Sequence, residues 1–226
     1  MFEKMLSSAQ VIGIQKWEKS SLYEIEIMMP SLKPESWNTI RRLKCQVGLL
    51  EYRDYTPALW TENPNTCTLF IEANHQGTGS EWVKNLQIGE EILIGEAHAA
   101  NVPIREGSIL GLGDTTAIGH FLALKQLTNQ ITYPLKVGIF TNGQYDAPLD
   151  FMFDHPNFSF FPFTTEPSST IACSLTALEN WIEPIDLNSF SSVYIAGNNT
   201  LVKSLRSLIK TKINRDIKIY RHGFWS

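Results

Sequence analysis

The sequence predicts two domains of different class, an N-terminal antiparallel β-barrel followed by a C-terminal α/β doubly wound parallel sheet. Three observations carry this reading. The first hundred residues hold short strand-like runs separated by Pro, Gly and Asn, whereas from about Ile104 strands alternate with segments of helical length. The length, 226 residues, exceeds one average domain and falls short of two large ones. The boundary is placed near residues 102–107, giving domains 1–104 and 105–226.

In the first half, Tyr23, Ile25 and Ile27 alternate with Glu24 and Glu26, the period of a half-buried strand. Further strands are expected over 47–55, 66–73 and 91–97. A short helix is expected from Gly79 through Trp82, Val83 and Leu86, stopping before Gly89. In the second half, strands are expected over 108–113, 135–140, 157–163, 192–196 and 217–220. The clearest helix spans 200–211, with Leu201, Leu205, Leu208 and Ile209 on one face and Lys203, Arg206 and Lys210 on another. Alternation of this kind implies a parallel sheet covered on both faces. Such sheets bind ligands at the carboxyl ends of their strands, where helix N-termini also point.

Composition narrows the function classes. Hydrophobic residues at 43% and charged residues at 19% supply a core and argue against disorder. The balance of 19 Lys+Arg against 23 Asp+Glu, a net charge of -4, excludes a general nucleic-acid binder. No stretch approaches the roughly 20 apolar residues of a membrane helix, and the N-terminus lacks the apolar core of a signal peptide, so a cytoplasmic protein without membrane insertion is expected. The three cysteines, Cys45, Cys67 and Cys173, form no C-x-x-C pair, and the five histidines include no H-x-H or H-x-x-x-H spacing. Neither a disulfide framework nor a protein metal site is expected. His98, His120 and His155 are read as structural.

Four motifs carry chemistry. The first is Arg53-Asp54-Tyr55-Thr56-Pro57. On a strand, residues two apart share a face, so Arg53 and Tyr55 project together, and Thr56 leaves a hydroxyl at the strand end. A guanidinium for a diphosphate, a phenol ring for a flat heterocycle and a hydroxyl for a ring nitrogen suit a phosphate-bearing aromatic cofactor. The second runs from Asn74 and His75 through Gly77, Gly79 and Ser80 to Trp82, a glycine-rich turn opening a helix whose first amides suit a phosphate. The third is the buried strand and helix start Gly111-Leu112-Gly113-Asp114-Thr115-Thr116, which lacks the third glycine of a dinucleotide fingerprint because Thr116 stands there. The fourth pairs Ala196-Gly197-Asn198 with Gly223-Phe224-Trp225. Plain structural roles also fit: core packing for Tyr55 and Trp82, a helix cap for Asp114, helix-start positions for Thr115 and Thr116, a turn for His75.

In this order the motifs resemble those of the siderophore-interacting protein family, FAD-dependent ferric-siderophore reductases of the ferredoxin-NADP reductase-like superfamily. Arg53 to Thr56 is similar to the R-x-Y-[ST] signature, residues 75–82 to an H-G-x-x-G-x-[AS]-x-W segment, residues 113–119 to G-D-E-T-A-L-P, and the last pair to A-G-E and G-Y-W. Thr115, Gly119, Asn198 and Phe224 depart from these patterns, and Ala58 stands where the family places an arginine. The chain is also short before Arg53, so trimmed first barrel strands are expected.

The resemblance implies FAD held on the barrel by Arg53, Tyr55, Thr56, Pro57, His75, Gly77, Gly79, Ser80 and Trp82, with Asp114, Thr115, Thr116 and Trp225 completing the cofactor site. It implies NADH or NADPH as electron donor and a ferric siderophore as the substrate reduced to Fe(II), with no side-chain acid or base. After the second C-terminal strand the chain reads Thr141-Asn142-Gly143-Gln144, without an arginine for a 2′-phosphate, which tilts toward NADH. Two alternatives stay open: a flavoprotein reductase of another acceptor such as ferredoxin, flavodoxin or a small molecule, and a degenerate non-catalytic nucleotide-binding relative. Residues 200–226 carry seven basic residues against Asp216, a local +6 that leaves -10 for the rest. Lys203, Arg206 and Lys210 lie along one helix side, suited to solvent or to steering an anionic siderophore.

Overall fold

The structure, a computed structural model, describes residues 6–100, 107–128, 134–142, 147–163, 180, 183–213 and 217–225. Its first sheet is antiparallel, with β1 (Ser7–Lys16), β2 (Leu22–Met28), β3 (Arg41–Gly48), β4 (Glu51–Tyr55), β5 (Pro57–Thr61), β6 (Thr66–Glu72) and β7 (Glu91–Ala99) in the order β4-β3-β7-β1-β2-β6-β5. Alternation gives the sheet one buried face: Ile25, Ile27, Leu43, Cys45, Leu69, Ile71, Ile92 and Ile94 share one core, to which α1 (Thr78–Asn85) adds Val83.

The two edge strands, β4 and β5, are successive in the chain, with Thr56 alone between them. The opposite edges of the sheet therefore meet at one residue, and β3 approaches β5 as β4 approaches β6. The sheet closes on itself as a barrel. Pro57 opens β5, a position where the missing N–H costs no ladder bond.

Residues 47–55 are not one strand. β3 ends at Gly48, β4 starts at Glu51, and Leu50 takes φ +58° in the turn between. Leu49 and Leu50 are 90% and 69% exposed, so an apolar hairpin tip imitates strand sequence. Short as the chain is before Arg53, three strands precede it. The first of them lacks clean alternation because a bulge between Val11 and Gly13 shifts its register.

The second sheet is parallel throughout, with β8 (Ile109–Asp114), β9 (Leu135–Asn142), β10 (Phe158–Phe163), β11 (Ser192–Asn198) and β12 (Lys218–Trp225) in the order β10-β9-β8-β11-β12. Every residue of the central β8 is buried, as a strand covered on both faces requires. Among the described residues the helices that follow are α2 (Ile118–Thr128), α3 (Leu149–Asp154) and α4 (Asn199–Lys212). The apolar stripe of α4, Leu201, Leu205 and Ile209, packs with Val193 and Ile195 of β11. Gly223, Phe224 and Trp225 lie inside β12 rather than after it, because pairing with β11 continues to Asn198 opposite Trp225. Main-chain contacts divide the chain into two compact units: Met1–Trp17, Ser21–Val102 and Leu122–Leu127, and Glu18–Ser20, Pro103–Phe121 and Thr128–Ser226. Among the described residues no helix is long and apolar enough to cross a membrane.

Candidate functional site

In the barrel unit, Glu51, Arg53 and Tyr55 lie two apart on β4 and share a face. Helix α1 lies against them. Arg53 Nη1 donates to the Tyr52 carbonyl at 2.8 Å and Nη2 to Thr78 Oγ1 at 3.2 Å. The Thr78 hydroxyl in turn donates to Glu51 Oε2 at 2.6 Å. Tyr55 stacks on Trp82 with centroids 5.9 Å apart and planes 14° from parallel. Both rings also pack against the barrel core, so each has one face committed to the protein. A Cβ on Gly79 would lie 2.8 Å from the Tyr55 hydroxyl and 3.4 Å from Arg53 Cγ, so only glycine lets α1 approach β4 this closely. Burial pushes the Tyr55 phenol well above its ordinary value of 10.0; Cys45 adds to the rise and Arg53 opposes it. The phenol is therefore a protonated donor at neutral pH.

The turn before α1 holds the feature that most suits a ligand. Gly77, at φ +148°, is the N-cap, and no side chain caps the helix. Ser80, three residues on, is 2% exposed, and its hydroxyl has no hydrogen-bond partner. Such an orphan costs about 1–3 kcal/mol unless something outside the chain meets it. An exposed guanidinium, an uncapped helix start and a buried unpaired hydroxyl together form a donor set that fits a diphosphate. Thr56 is half-buried at the corner between the edge strands, and Pro57 is buried opposite Leu69. His75 is exposed, with Nδ1 3.3 Å from Asn74 Oδ1. Ala58 has no exposed surface and faces Thr68 across the ladder, so position 58 offers no phosphate ligand.

In the parallel-sheet unit, Asp114, a residue 9% exposed, ends β8. One oxygen accepts from the Thr116 amide at 3.0 Å and from the Thr116 hydroxyl; the other accepts from the Asn198 amide at 2.7 Å. Asp114 thus caps the turn of Thr115–Ala117 that leads into α2 and also ties the end of β8 to the end of β11. Gly197, at φ +130°, makes room for it: a Cβ there would sit 2.7 Å from both carboxylate oxygens. Asn198 caps α4, its side-chain oxygen accepting from the Thr200 and Leu201 amides at 2.8 and 3.3 Å. Thr115 is buried. Asp114, Thr116 and Asn198 are thus engaged in building this strand edge. The backbone of Trp225 belongs to β12, and its side chain lies outside the described residues, as does Cys173.

On α4, Lys203 and Lys210 are exposed and Arg206 half-buried. Among the described residues no group of three or more His, Cys, Asp or Glu could hold a metal ion. Two arrangements escape a sequence reading. One is the Glu51–Thr78–Arg53 relay, whose members are 25 and 27 residues apart. The other joins His120, fully buried on α2, to the Tyr194 hydroxyl, with His222 and Phe224 of β12 at centroid distances of 5.3 Å from His120. No local spacing signals either.

No protein-family model matches the sequence, and no curated protein does. Solved structures do match. The chain is similar to the siderophore interacting protein from Acinetobacter baumannii at 17% identity, with 97% of this chain and 90% of that chain covered and a TM-score of 0.70. It is similar to ferredoxin-NADP+ reductase from Plasmodium falciparum at 14% identity, covering 98% and 97%, with a TM-score of 0.69. Phthalate dioxygenase reductase, described as a modular structure for electron transfer from pyridine nucleotides to [2Fe-2S], matches at 11% identity over 98% of this chain and 69% of that one, TM-score 0.73. The fold is accordingly the ferredoxin reductase-like pairing of an antiparallel barrel with a parallel five-stranded sheet.

Proposed function

We propose that this chain is an FAD-dependent oxidoreductase of the cytoplasm that takes electrons from NADH or NADPH and delivers them to a ferric siderophore, releasing Fe(II). Residues 1–104 serve as the FAD-binding barrel and residues 105–226 as the NAD(P)-binding domain. The observation that carries the reading is the orphan Ser80 hydroxyl in the first turn of the uncapped helix α1, whose Gly79 packs against Tyr55 and Arg53 of β4. The likeness of fold to reductases supports it.

Bound FAD supplies the conversion of a two-electron hydride donor into single-electron steps toward Fe(III). The protein's part is binding and orientation. Arg53 offers the charge for the diphosphate, Ser80 and the amides after Gly77 the neutral donors, and Thr56 at the corner a hydroxyl for the reacting edge of the flavin. Tyr55, Pro57 and Trp82 form the apolar wall, and His75 flanks the turn. Asp114, Thr115 and Thr116 shape the strand edge at which the nicotinamide nucleotide docks. Lys203, Arg206 and Lys210 attract the anionic chelate.

The test is the visible spectrum of purified protein with and without added FAD, then anaerobic reduction by NADH and by NADPH. Reoxidation by a ferric siderophore, in preference to ferredoxin, flavodoxin or small organic acceptors, is the expected result. A flavin spectrum that bleaches but recovers only with another acceptor would move the substrate and keep the enzyme class. The buried Ala58 favours one other reading, a non-catalytic nucleotide-binding relative, which predicts colourless protein even at high FAD.

A further inference from the structure

The Arg53 site contains an acid that the proposed reaction does not need. Glu51 shares the β4 face with Arg53, and its carboxylate accepts from Thr78, the first residue of α1, at 2.6 Å. The same hydroxyl accepts from Arg53 Nη2 at 3.2 Å. A carboxylate therefore already occupies the hydroxyl at the helix start, and the guanidinium is drawn toward it through that hydroxyl. Both partners are charged or charge-polarised, so the contact is of the stronger kind among hydrogen bonds. Glu51 is exposed, and its negative charge is felt by any anion arriving at Arg53.

We propose that Glu51 is an internal competitor for the anion at this site: in the free protein its carboxylate holds Thr78 and Arg53 in place, and an incoming diphosphate must displace it. The inference rests on the flavin reading for the identity of the ligand, and on the geometry alone for the competition. Glu51 keeps α1 fastened to β4 when nothing is bound and raises the ligand concentration needed to open that fastening. It also selects for ligands that bring apolar contacts with Tyr55 and Trp82 in addition to charge, because a bare phosphate meets the repulsion without that compensation.

The experiment compares wild-type and Glu51→Gln protein, the latter isosteric and exposed and so expected to fold. Two probes are titrated, FAD by quenching of its fluorescence and inorganic pyrophosphate by the shift in thermal midpoint. Glu51→Gln should bind FAD about three- to tenfold more tightly at low salt, with the gain shrinking toward 0.5 M salt as the repulsion is screened. Pyrophosphate, with little effect on wild-type, should stabilise the variant. The unliganded variant should melt slightly below wild-type, since the Thr78 contact is weakened. Wild-type binding of FAD with equal or weaker binding by Glu51→Gln would overturn the competition and leave the flavin reading intact. Failure of both proteins to bind FAD, with pyrophosphate still favouring the variant, would overturn the flavin reading and sustain the competition. No response of either protein to either probe would overturn both.

Discussion

Replacing Asp114 tests whether one carboxylate holds the carboxyl edge of the parallel sheet together. It makes two kinds of bond: a cap to the Thr116 amide and hydroxyl, and a link to the Asn198 amide 84 residues away in sequence. Loss of a cap costs about 0.5–2 kcal/mol, and loss of a hydrogen bond to a charged group about 1.5–3 kcal/mol. The two share one side chain and overlap, so Asp114→Ala is expected to cost roughly 2–4 kcal/mol. Asp114→Asn keeps one acceptor oxygen but turns an amide NH2 toward the second donor, and roughly 1–2 kcal/mol is expected. Urea unfolding followed by far-UV circular dichroism gives the total. Because the chain has two units, hydrogen exchange at the Thr116 and Asn198 amides locates the loss. A loss under about 0.5 kcal/mol in Asp114→Ala, with the Asn198 amide still protected, would refute the role of Asp114 as the tie between β8 and β11.

Four further outcomes are expected. Burial raises the thiols of Cys45 and Cys67 and the phenols of Tyr55 and Tyr194 well above their ordinary values of 9.0 and 10.0, so the unfolded chain loses those protons first. Their stabilisation is complete below about pH 8.5 and falls as pH rises through the unfolded values, at about 1.4 kcal/mol per pH unit per thiol. A stability profile flat from pH 8 to 10.5 would contradict this. Gly79→Ala sets a methyl against a Tyr55 ring held by Trp82; overpacking of about 1–3 kcal/mol exceeds the roughly 1 kcal/mol of helix propensity regained, and near-UV circular dichroism should report the moved rings. Arg53→Ala should weaken FAD binding about ten- to hundredfold, read by fluorescence titration. Replacing Lys203, Arg206 and Lys210 together with Gln should slow reduction of an anionic ferric chelate about three- to tenfold at low salt and leave the rate unchanged at 0.5 M salt.

What the sequence discloses follows the range of the forces involved. Helix α4 and the parallel strands are legible because their apolar residues recur at 3.6 or run unbroken through a doubly covered sheet. The pairing of Arg53 with Tyr55 on one face is legible for the same reason, since period two fixes it locally. The turn at Gly48–Glu51 is not, because Leu49 and Leu50 carry strand-like side chains into solvent without a glycine or asparagine between them. Asp114 reads equally as ligand or cap, and only the arrival of Asn198 from another strand decides how its second oxygen is used. The orphan state of Ser80 and the Thr78 bridge between Glu51 and Arg53 are likewise products of packing between α1 and β4.

The single residue between the two edge strands has a bearing on how this protein behaves in a crowded solution. An open sheet leaves a row of unpaired amides and carbonyls on each flank, and those rows recruit other chains into intermolecular ribbons. Here the two flanks are one continuous stretch of backbone folded at Thr56, with β3 near β5 and β4 near β6, so the edges are turned toward each other instead of lying at opposite ends of the sheet. That arrangement depends on the shortness of the connection. Lengthening it by a few flexible residues would let both flanks swing free at once and turn a monomer-compatible sheet into a template for aggregation, with the Arg53-to-Pro57 segment at its exposed tip.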